Sequence, residues 1–141
     1  MIQMRLINGE EELQKILDIR KRVFIEEQGV SEKRERDGLE DKADQFIVLD
    51  DEKEIGCARI RFIDNKAKLE RIAILPEYRR KGLGKKLVNY LIDYSKNKGV
   101  KEIYLHGQVR IQKFYEGLGF KARGDIFIDG GMEHYEFYMR V

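Results

Sequence analysis

Residues 69–87 read LERIAILPEYRRKGLGKKL and predict a strand, a tight turn and a helix in succession. Ile72 and Ile74 alternate around a small residue, as the residues of a strand do. Gly82 and Gly84 follow at the point where apolar residues take up helical spacing. The first N–H groups of a helix have no partner within it and lie at the positive end of its dipole, and this turn also carries four cations. We therefore expect the turn to bind an anion.

Spacing separates the phosphate-binding patterns that could apply to this turn. A Walker-type P-loop is excluded because Lys86 replaces the required hydroxyl residue and Arg79 replaces the first glycine. A dinucleotide fingerprint is excluded because Leu87 stands where the third glycine is needed. The remaining pattern is Arg79-x-x-Gly82-x-Gly84 after an apolar strand. On this motif alone, a surface helix with solvated cations stays open as the alternative.

Length and composition indicate one globular domain. The chain has 141 residues, enough for one buried core, and we expect a single domain over residues 1–141. Apolar residues make up 42%, charged residues 38%, and the net charge of +2 gives no reason to expect nucleic acid or a membrane as a partner. One cysteine excludes an internal disulfide, and with two histidines it forms no metal-ligand pattern. Without a membrane span or signal peptide pattern, a cytoplasmic protein is expected.

Apolar periodicity divides the chain into the strands and helices of an α/β domain with a mixed sheet. The predicted strands are residues 2–7, 45–49, 54–63, 66–75, 101–106, 120–123 and 134–141. The predicted helices are residues 9–28, the segment from the glycine turn to Gly99, and residues 109–118. Residues 29–44 are almost free of apolar side chains and are expected to form a mobile polar loop, which in a compact domain is often functional.

A second motif lies about one strand and one helix after the glycine turn. It reads Phe114-Tyr115-Glu116-Gly117-Leu118-Gly119-Phe120. In this order, the two motifs resemble the two signatures of the GNAT N-acetyltransferase superfamily. The resemblance implies a single-domain mixed central β-sheet flanked by helices, with splayed fourth and fifth strands. It also implies acetyl-CoA as the cosubstrate.

Three further stretches are similar to the small bacterial ElaA-type acetyltransferases, so the resemblance covers nearly the whole chain. They are residues 22–28, 105–108 and 131–134. This chain departs from that branch at two points. Gly107-Gln108 replaces the usual Ala-Gln, and Glu133 stands where a proline is common before the histidine.

The resemblance also implies which residues bind acetyl-CoA. Backbone groups of the fourth strand would meet the pantetheine arm, and backbone N–H groups of the glycine turn would meet the pyrophosphate. The implied cofactor-binding residues are Ile72, Ala73, Ile74, Arg79, Arg80, Lys81, Gly82, Leu83, Gly84, Lys85, Gln108 and Phe114.

Tyr115 and Glu70 are the expected catalytic residues. The family's tyrosine lies near the thioester sulfur, and a phenol with a pKa of about 10 stays protonated at neutral pH and can protonate a departing thiolate. Glu70 precedes Ile72 by two residues, so we expect it on the same face as Ile72 and Ile74. The resemblance implies that a Glu at this position acts as a base, directly or through water. The structural alternatives are a core aromatic for Tyr115 and a solvated carboxylate paired with Arg71 for Glu70.

The resemblance implies that the acceptor enters between the first helix, the loop after it and the segment before the last strand. Glu26, Gln28 and His134 are the candidate contacts. In these segments acids outnumber lysines and arginines, and a surplus of carboxylates beside a cleft attracts cations. We therefore predict a cationic primary amine as acceptor, such as a polyamine or a lysine side chain. A loop that is merely solvated by its charges is the alternative.

Two functions remain open from the sequence. One is transfer of an acetyl group from acetyl-CoA to an amine, and the other is a non-catalytic coenzyme A-binding sensor or partner module. Tyr115 favours the enzyme, because a binding module has no need of a phenol at that position. The protein is expected to be a monomer or a homodimer.

Overall fold

A computed structural model describes residues 1–141 as one seven-stranded sheet with helices on both faces. The strands are β1 (Ile2–Leu6), β2 (Asp44–Asp50), β3 (Lys53–Ile63), β4 (Lys66–Ile74), β5 (Glu102–Gln108), β6 (Lys121–Asp129) and β7 (Met132–Arg140). The helices are α1 (Gly9–Arg20), which continues as a π-helix (Lys21–Glu27), α2 (Glu32–Glu35), α3 (Leu83–Asn97) and α4 (Gln112–Gly117). Short 3₁₀ turns occupy Glu40–Lys42, Pro76–Tyr78 and Val109–Ile111. None of these helices has the length and apolar character needed to cross a membrane.

The sheet has the order β1-β2-β3-β4-β5-β7-β6, and only β4 and β5 pair in parallel. Their pairing stops at Leu69 and Leu105, although β4 continues to Ile74 and β5 to Gln108. The two strands therefore part at their carboxyl ends and open the sheet there. The predicted mixed sheet with splayed fourth and fifth strands is confirmed.

One extra residue in β4 interrupts the alternation of its side chains. β3 pairs Arg59 with Glu70 but Cys57 with Ala73, so two residues of β4 lie opposite one residue of β3. This arrangement is a β-bulge, and Arg71 within it has a positive φ of 54°. Residues of β4 that stand two apart across the bulge therefore lie on opposite faces of the sheet.

Helices cover both faces of the sheet and create two cores. On the face covered by α3 and α4, here the α3 face, 19 buried residues form the larger core, which includes Leu87 and Leu91. On the opposite face, here the α1 face, eight buried residues form the smaller core, which includes Ile16 and Ile19. Burial of both faces is the usual solution for a sheet whose strands are apolar on each side.

The predicted mobile loop at residues 29–44 is wrong, because this segment is tied to α1 by a buried ion pair. It contains α2 and a 3₁₀ turn, and the Glu35 and Arg20 side chains are each only 1% exposed. Arg20 donates three hydrogen bonds of 2.6–3.0 Å to the Glu35 carboxylate. The polarity of the segment therefore reflects internal pairing as well as solvation, which a count of polar residues does not distinguish.

Candidate active site

A cavity of about 450 Å³ opens where β4 and β5 part. Its lining comes from both sides of the sheet, with Tyr115 of α4 and Phe24 of the π-helix among the contributors. Residues 69–72 of β4 and 105–108 of β5 form the edges of the opening. The space therefore suits a ligand or a pair of ligands that meet in the gap between the two strands.

Tyr115 lies at the α3 face of this gap, packed among aromatic rings. Its side chain contacts Phe120 edge-on and Phe137 at a ring-centroid distance of 5.0 Å. Burial raises the pKa of Tyr115 to about 12, so the phenol keeps its proton at neutral pH. Gly107 makes this position possible, because a Cβ at residue 107 would lie 2.6 Å from the Tyr115 ring. The glycine that departs from the ElaA-type pattern thus has a steric role beside the tyrosine.

Residues 79–85, here called the glycine loop, offer free backbone N–H groups at the start of α3, as the sequence predicts. Arg80 and Gly82 adopt the left-handed region with φ of 65° and 76°, and α3 begins at Leu83. The first bond of the helix runs from the Lys86 N–H to the Gly82 carbonyl oxygen at 3.1 Å. The N–H groups of residues 83–85 precede the helical ladder and remain available for an anion. The predicted start of a helix at the turn is confirmed.

The side chain of Arg79 is engaged by protein groups. Its two terminal nitrogens donate to the Glu27 carboxylate at 2.6 and 2.8 Å, and its Nε donates to the Ile74 carbonyl oxygen at 2.9 Å. A second fork joins Arg22 of the π-helix to Glu77 at 2.8 and 3.0 Å. Both pairs fasten the segment before α3 to the π-helix, so the Arg79 guanidinium anchors the glycine loop in this structure.

The predicted orientation of Glu70 is wrong, because the bulge intervenes. Glu70 pairs with Arg59 on the α1 face, whereas Ile72 packs against the core of the α3 face. Burial opposes the charge of Glu70, but a hydrogen bond from Arg61 and the nearby charges of Arg59 and Lys68 outweigh it and lower the pKa of Glu70 to about 2. A carboxylate with so low a pKa accepts protons weakly at neutral pH.

The structure brings part of the predicted coenzyme site to the cavity. Ile72 and Gln108 border it. Ala73 and Ile74 are buried in the two cores, so only their backbone groups are candidates for binding. Phe114 packs edge-on against the catalytic candidate Tyr115, at a ring-centroid distance of 5.2 Å, and is 38% exposed.

Of the predicted acceptor contacts, Gln28 and His134 border the cavity. His134 Nδ1 lies 2.9 Å from the Met132 carbonyl oxygen. Glu26 is exposed and does not border the cavity, so its contact with the acceptor stays a prediction. In this part of the chain it is Phe24 and Gln28, four residues apart, that reach the cavity.

Sequence reasoning did not identify a network of ten charged side chains beside the α1 face, here the charged wall. Neighbours in the network lie within 2.5–4.0 Å of one another. Its members are Arg20, Glu35, Arg36, Asp37, Glu40, Arg59, Arg61, Lys68, Glu70 and Arg71. The signal that could have found it is the alternation of Arg59 and Arg61 with apolar residues on a strand that is otherwise buried.

Part of the predicted surplus of acids at the acceptor side is neutralised, because Asp37 and Glu40 are paired with arginines from the strands and α1, and the predicted cationic acceptor stays a prediction. The charged wall contains six cations and four carboxylates. Asp37, for example, accepts hydrogen bonds from Arg59 and Arg71. Burial opposes its charge, but the bond from Arg59 and its other partners outweigh burial and lower the pKa of Asp37 to about 2. Outside the wall, Asp129 is paired with Arg34.

Comparison with known proteins identifies the family. The sequence model described as "Acetyltransferase (GNAT) family" matches residues 12–120 of the chain. The chain belongs to the GNAT family. The resemblance stated from the two motifs is confirmed, and this GNAT protein is an acyltransferase of a family that uses acetyl-CoA as cosubstrate.

Relatives and solved structures agree with this assignment. The GNAT chain is 38% identical over 136 residues to the uncharacterized protein YyaT of Bacillus subtilis (strain 168), covering 94% of this chain and 92% of that one. Its fold is similar to that of Escherichia coli ElaA, with a TM-score of 0.88 at 21% identity over 98% of this chain and 99% of that chain. A GNAT family acetyltransferase from Elizabethkingia anophelis with acetyl-CoA bound gives a TM-score of 0.79 at 15% identity over 99% and 98%. The two structural likenesses show a shared fold.

Proposed function

We propose that this protein transfers the acetyl group of acetyl-CoA to a primary amine of a small molecule or peptide, with Tyr115 as the general acid. The observation that carries the proposal is the place of the Tyr115 phenol. It borders the cavity where β4 and β5 part and holds its proton at neutral pH, and the rise of its pKa to about 12 by burial makes it a weaker acid than a free phenol. Loss of a positioned general acid costs about 10²–10⁴-fold in typical enzymes.

The chain's own groups fit the coenzyme. The N–H groups of residues 83–85 and the left-handed Arg80 and Gly82 suit a pyrophosphate at the start of α3. Lys81 and Lys85 add positive charge to the same loop. The splayed carboxyl ends of β4 and β5 give the backbone of residues 72–74, with Gln108 and Phe114 nearby, room to receive the pantetheine arm. Acetyl-CoA supplies the activated acyl thioester.

Two proton transfers complete the reaction in this proposal. Tyr115 gives its proton to the sulfur of the departing thiolate, and the amine must lose a proton as its nitrogen forms the new bond to the acyl carbon. Glu70 does not suit the second task, because its pKa is lowered to about 2 and it is bound by three cations. We assign that proton to water in the cavity. Gln28 and His134 stay the proposed acceptor contacts.

Turnover is the experiment that separates the enzyme from a coenzyme A-binding module. Purified protein is incubated with acetyl-CoA and a panel of primary amines, while free thiol and acetylated products are measured. Amine-dependent thiol release with a matching acetylated product supports the proposal. Calorimetric binding of acetyl-CoA without any acetylated product, across the whole panel, would instead favour the non-catalytic module. A cytoplasmic location and a monomeric or homodimeric state stay predictions.

A further inference from the structure

The charged wall carries more positive than negative charge. It holds six cations, Arg20, Arg36, Arg59, Arg61, Lys68 and Arg71, against the carboxylates of Glu35, Asp37, Glu40 and Glu70, which leaves two positive charges in excess. The ion pair of Arg34 with Asp129, which also borders the cavity, is neutral as a whole. The excess is therefore a property of the wall itself.

This excess lies behind the cavity, because the lining itself holds four cations and four carboxylates. Lys68 and Arg71 border the cavity directly, next to the carboxylates that they contact. Arg110 also borders it, and its Nε donates to the neutral side chain of Gln108 at 2.6 Å. Arg59, whose side chain is fully buried, stands directly behind Asp37 and Glu70. In a partly buried site such charges are screened less than they would be in water.

Three guanidinium nitrogens of the wall lack hydrogen-bond acceptors. Arg20 Nη1, Arg36 Nε and Arg71 Nε are buried and make no hydrogen bond, although Arg71 Nε lies 3.4 Å and Arg36 Nε 4.0 Å from the Glu35 carboxylate. The Arg20 side chain is 1% exposed, so water does not compensate it from the surface. Buried donors are almost always paired in native proteins. The wall is thus short of acceptor atoms as well as of negative charge.

Building on the proposed function, we propose that the acceptor is an amine that also carries an anionic group, and that the Lys68 and Arg71 side of the charged wall receives this group. A carboxylate or phosphate supplies negative charge and an acceptor atom for Arg71, the one of these three arginines that borders the cavity. The same positive excess disfavours the ammonium form of the acceptor amine and so favours the neutral form that can attack. A cationic acceptor would meet repulsion from both groups.

Matched amines test the sign of the charge. β-Alanine, β-alaninamide and 1,3-diaminopropane share a three-carbon frame and end in a carboxylate, a carboxamide or an ammonium group, and O-phosphoethanolamine adds a phosphate arm. Larger sets extend the series to other sizes. Each contains an α-amino acid, the corresponding amide, and the diamine in which an aminomethyl group replaces the carboxylate. We expect kcat/KM to be at least tenfold higher for the anionic member of each productive set. The carboxylate and phosphate arms show which anion the wall prefers.

Variants connect that preference to the wall. Lys68→Glu should remove the preference for anions, because it exchanges a cation at the cavity for a carboxylate. Lys66→Glu is the matched control, since Lys66 lies two residues earlier on β4, contacts Glu102 and does not border the cavity. Lys66→Glu should keep the wild-type ratio of kcat/KM between the carboxylate and the carboxamide substrates. Thermal unfolding and calorimetric affinity for coenzyme A report whether either variant has lost its fold.

Binding separates failure of this inference from failure of the proposed function. The same sets are titrated calorimetrically into the protein saturated with coenzyme A. Tighter binding of the anionic members without turnover would uphold the inference and reject the enzyme. Equal or tighter binding of the amide or diamine, or an acid preference that Lys68→Glu leaves intact, would overturn the inference whether or not amines are acetylated.

Discussion

The glycine loop and the charged wall are two parts of one candidate site, and they are built differently. The loop is a contiguous segment of seven residues that offers backbone N–H groups at the start of α3. The wall collects ten side chains from α1, α2, the segments after it, β3 and β4. Backbone donors are set by local conformation, whereas the wall exists only when distant segments come together.

This difference determines how each part should respond to substitution. A loop that binds through its backbone is vulnerable to added side chains and tolerant of changes in charge. A wall that works through paired side chains is vulnerable to single changes of charge, since each leaves a partner buried and uncompensated. Substitutions in the two regions should therefore separate coenzyme binding from acceptor selection.

Replacement of both loop glycines by valine should have the largest effect on coenzyme binding. Gly82 has a φ of 76°, and a Cβ at Gly82 or Gly84 would meet no protein atom closer than 3.8 Å, so the new side chains would occupy ligand space. We expect the affinity of Gly82→Val/Gly84→Val for acetyl-CoA in calorimetry to fall at least a hundredfold. Gly99→Val is the matched control, because Gly99 has the same φ of 76° and open surroundings at the other end of α3. Wild-type affinity in the double variant would reject the loop as the anion site.

Tyr115→Phe should have the next largest effect, and on turnover alone. Removal of the phenol proton donor is expected to lower kcat by about a hundredfold, the lower end of the usual range for a general acid, while calorimetric affinity for acetyl-CoA changes little. Because burial raises the pKa of Tyr115 to about 12, the wild-type rate should show no loss from deprotonation of this phenol between pH 7 and about pH 10. Tyr138→Phe on β7 serves as the control. An unchanged kcat would mean that Tyr115 only packs against its aromatic neighbours.

The parts predicted from the sequence are those fixed by short segments. The start of α3 follows from Gly82 and the apolar spacing after it, and the order of the two motifs indicates the family. The predicted strand at residues 120–123 is shorter than β6 (Lys121–Asp129). This edge strand is largely exposed and lacks the buried alternating face that a sequence pattern reveals.

The parts that sequence reasoning missed depend on register and long-range pairing. Simple alternation predicts that Glu70 and Ile72 lie on the same face of the sheet. The extra residue of the β-bulge at Arg71 puts them on opposite faces. The charges of residues 29–44 indicate solvation until Arg20 and Arg59 are known to lie beside them. Neither the bulge nor these pairs leaves a local pattern in the sequence.

Acid should weaken the charged wall in a defined range of pH. The folded-state pKa of Glu70 is lowered from 4.5 to about 2, so its stabilising effect is complete above the unfolded value and is lost as the pH falls from about 4.5 to about 2. Asp37 acts with the same sign. We expect Glu70→Gln to lower the free energy of unfolding at pH 7 by about 1–3 kcal/mol and to flatten its decline across that range. Denaturant unfolding at several pH values measures this, with exposed Glu10→Gln as control. Parallel curves for the wild type and Glu70→Gln would contradict it.

The smallest expected effect separates anchoring from direct binding by Arg79. The Arg79–Glu27 pair is partly exposed, at 37% and 39%, so Glu27→Gln should lower the free energy of unfolding by under about 1 kcal/mol. If the guanidinium anchors the loop through Glu27, the variant should bind acetyl-CoA a few-fold more weakly, because the loop is less well ordered. If Arg79 instead binds the pyrophosphate and Glu27 competes for it, removing that carboxylate should strengthen binding.

Calorimetry at low and high salt distinguishes the two outcomes, since a directly bound phosphate loses affinity steeply as salt screens it. Glu77→Gln is the matched control. It breaks the neighbouring fork to Arg22 without touching Arg79, so it should weaken the same attachment of the segment while leaving the Arg79 guanidinium paired. Weaker binding in both variants indicates an anchor made of two forks. Tighter binding in Glu27→Gln alone would make Arg79 a ligand of the coenzyme and would move one side chain from the scaffold of the glycine loop into its binding site.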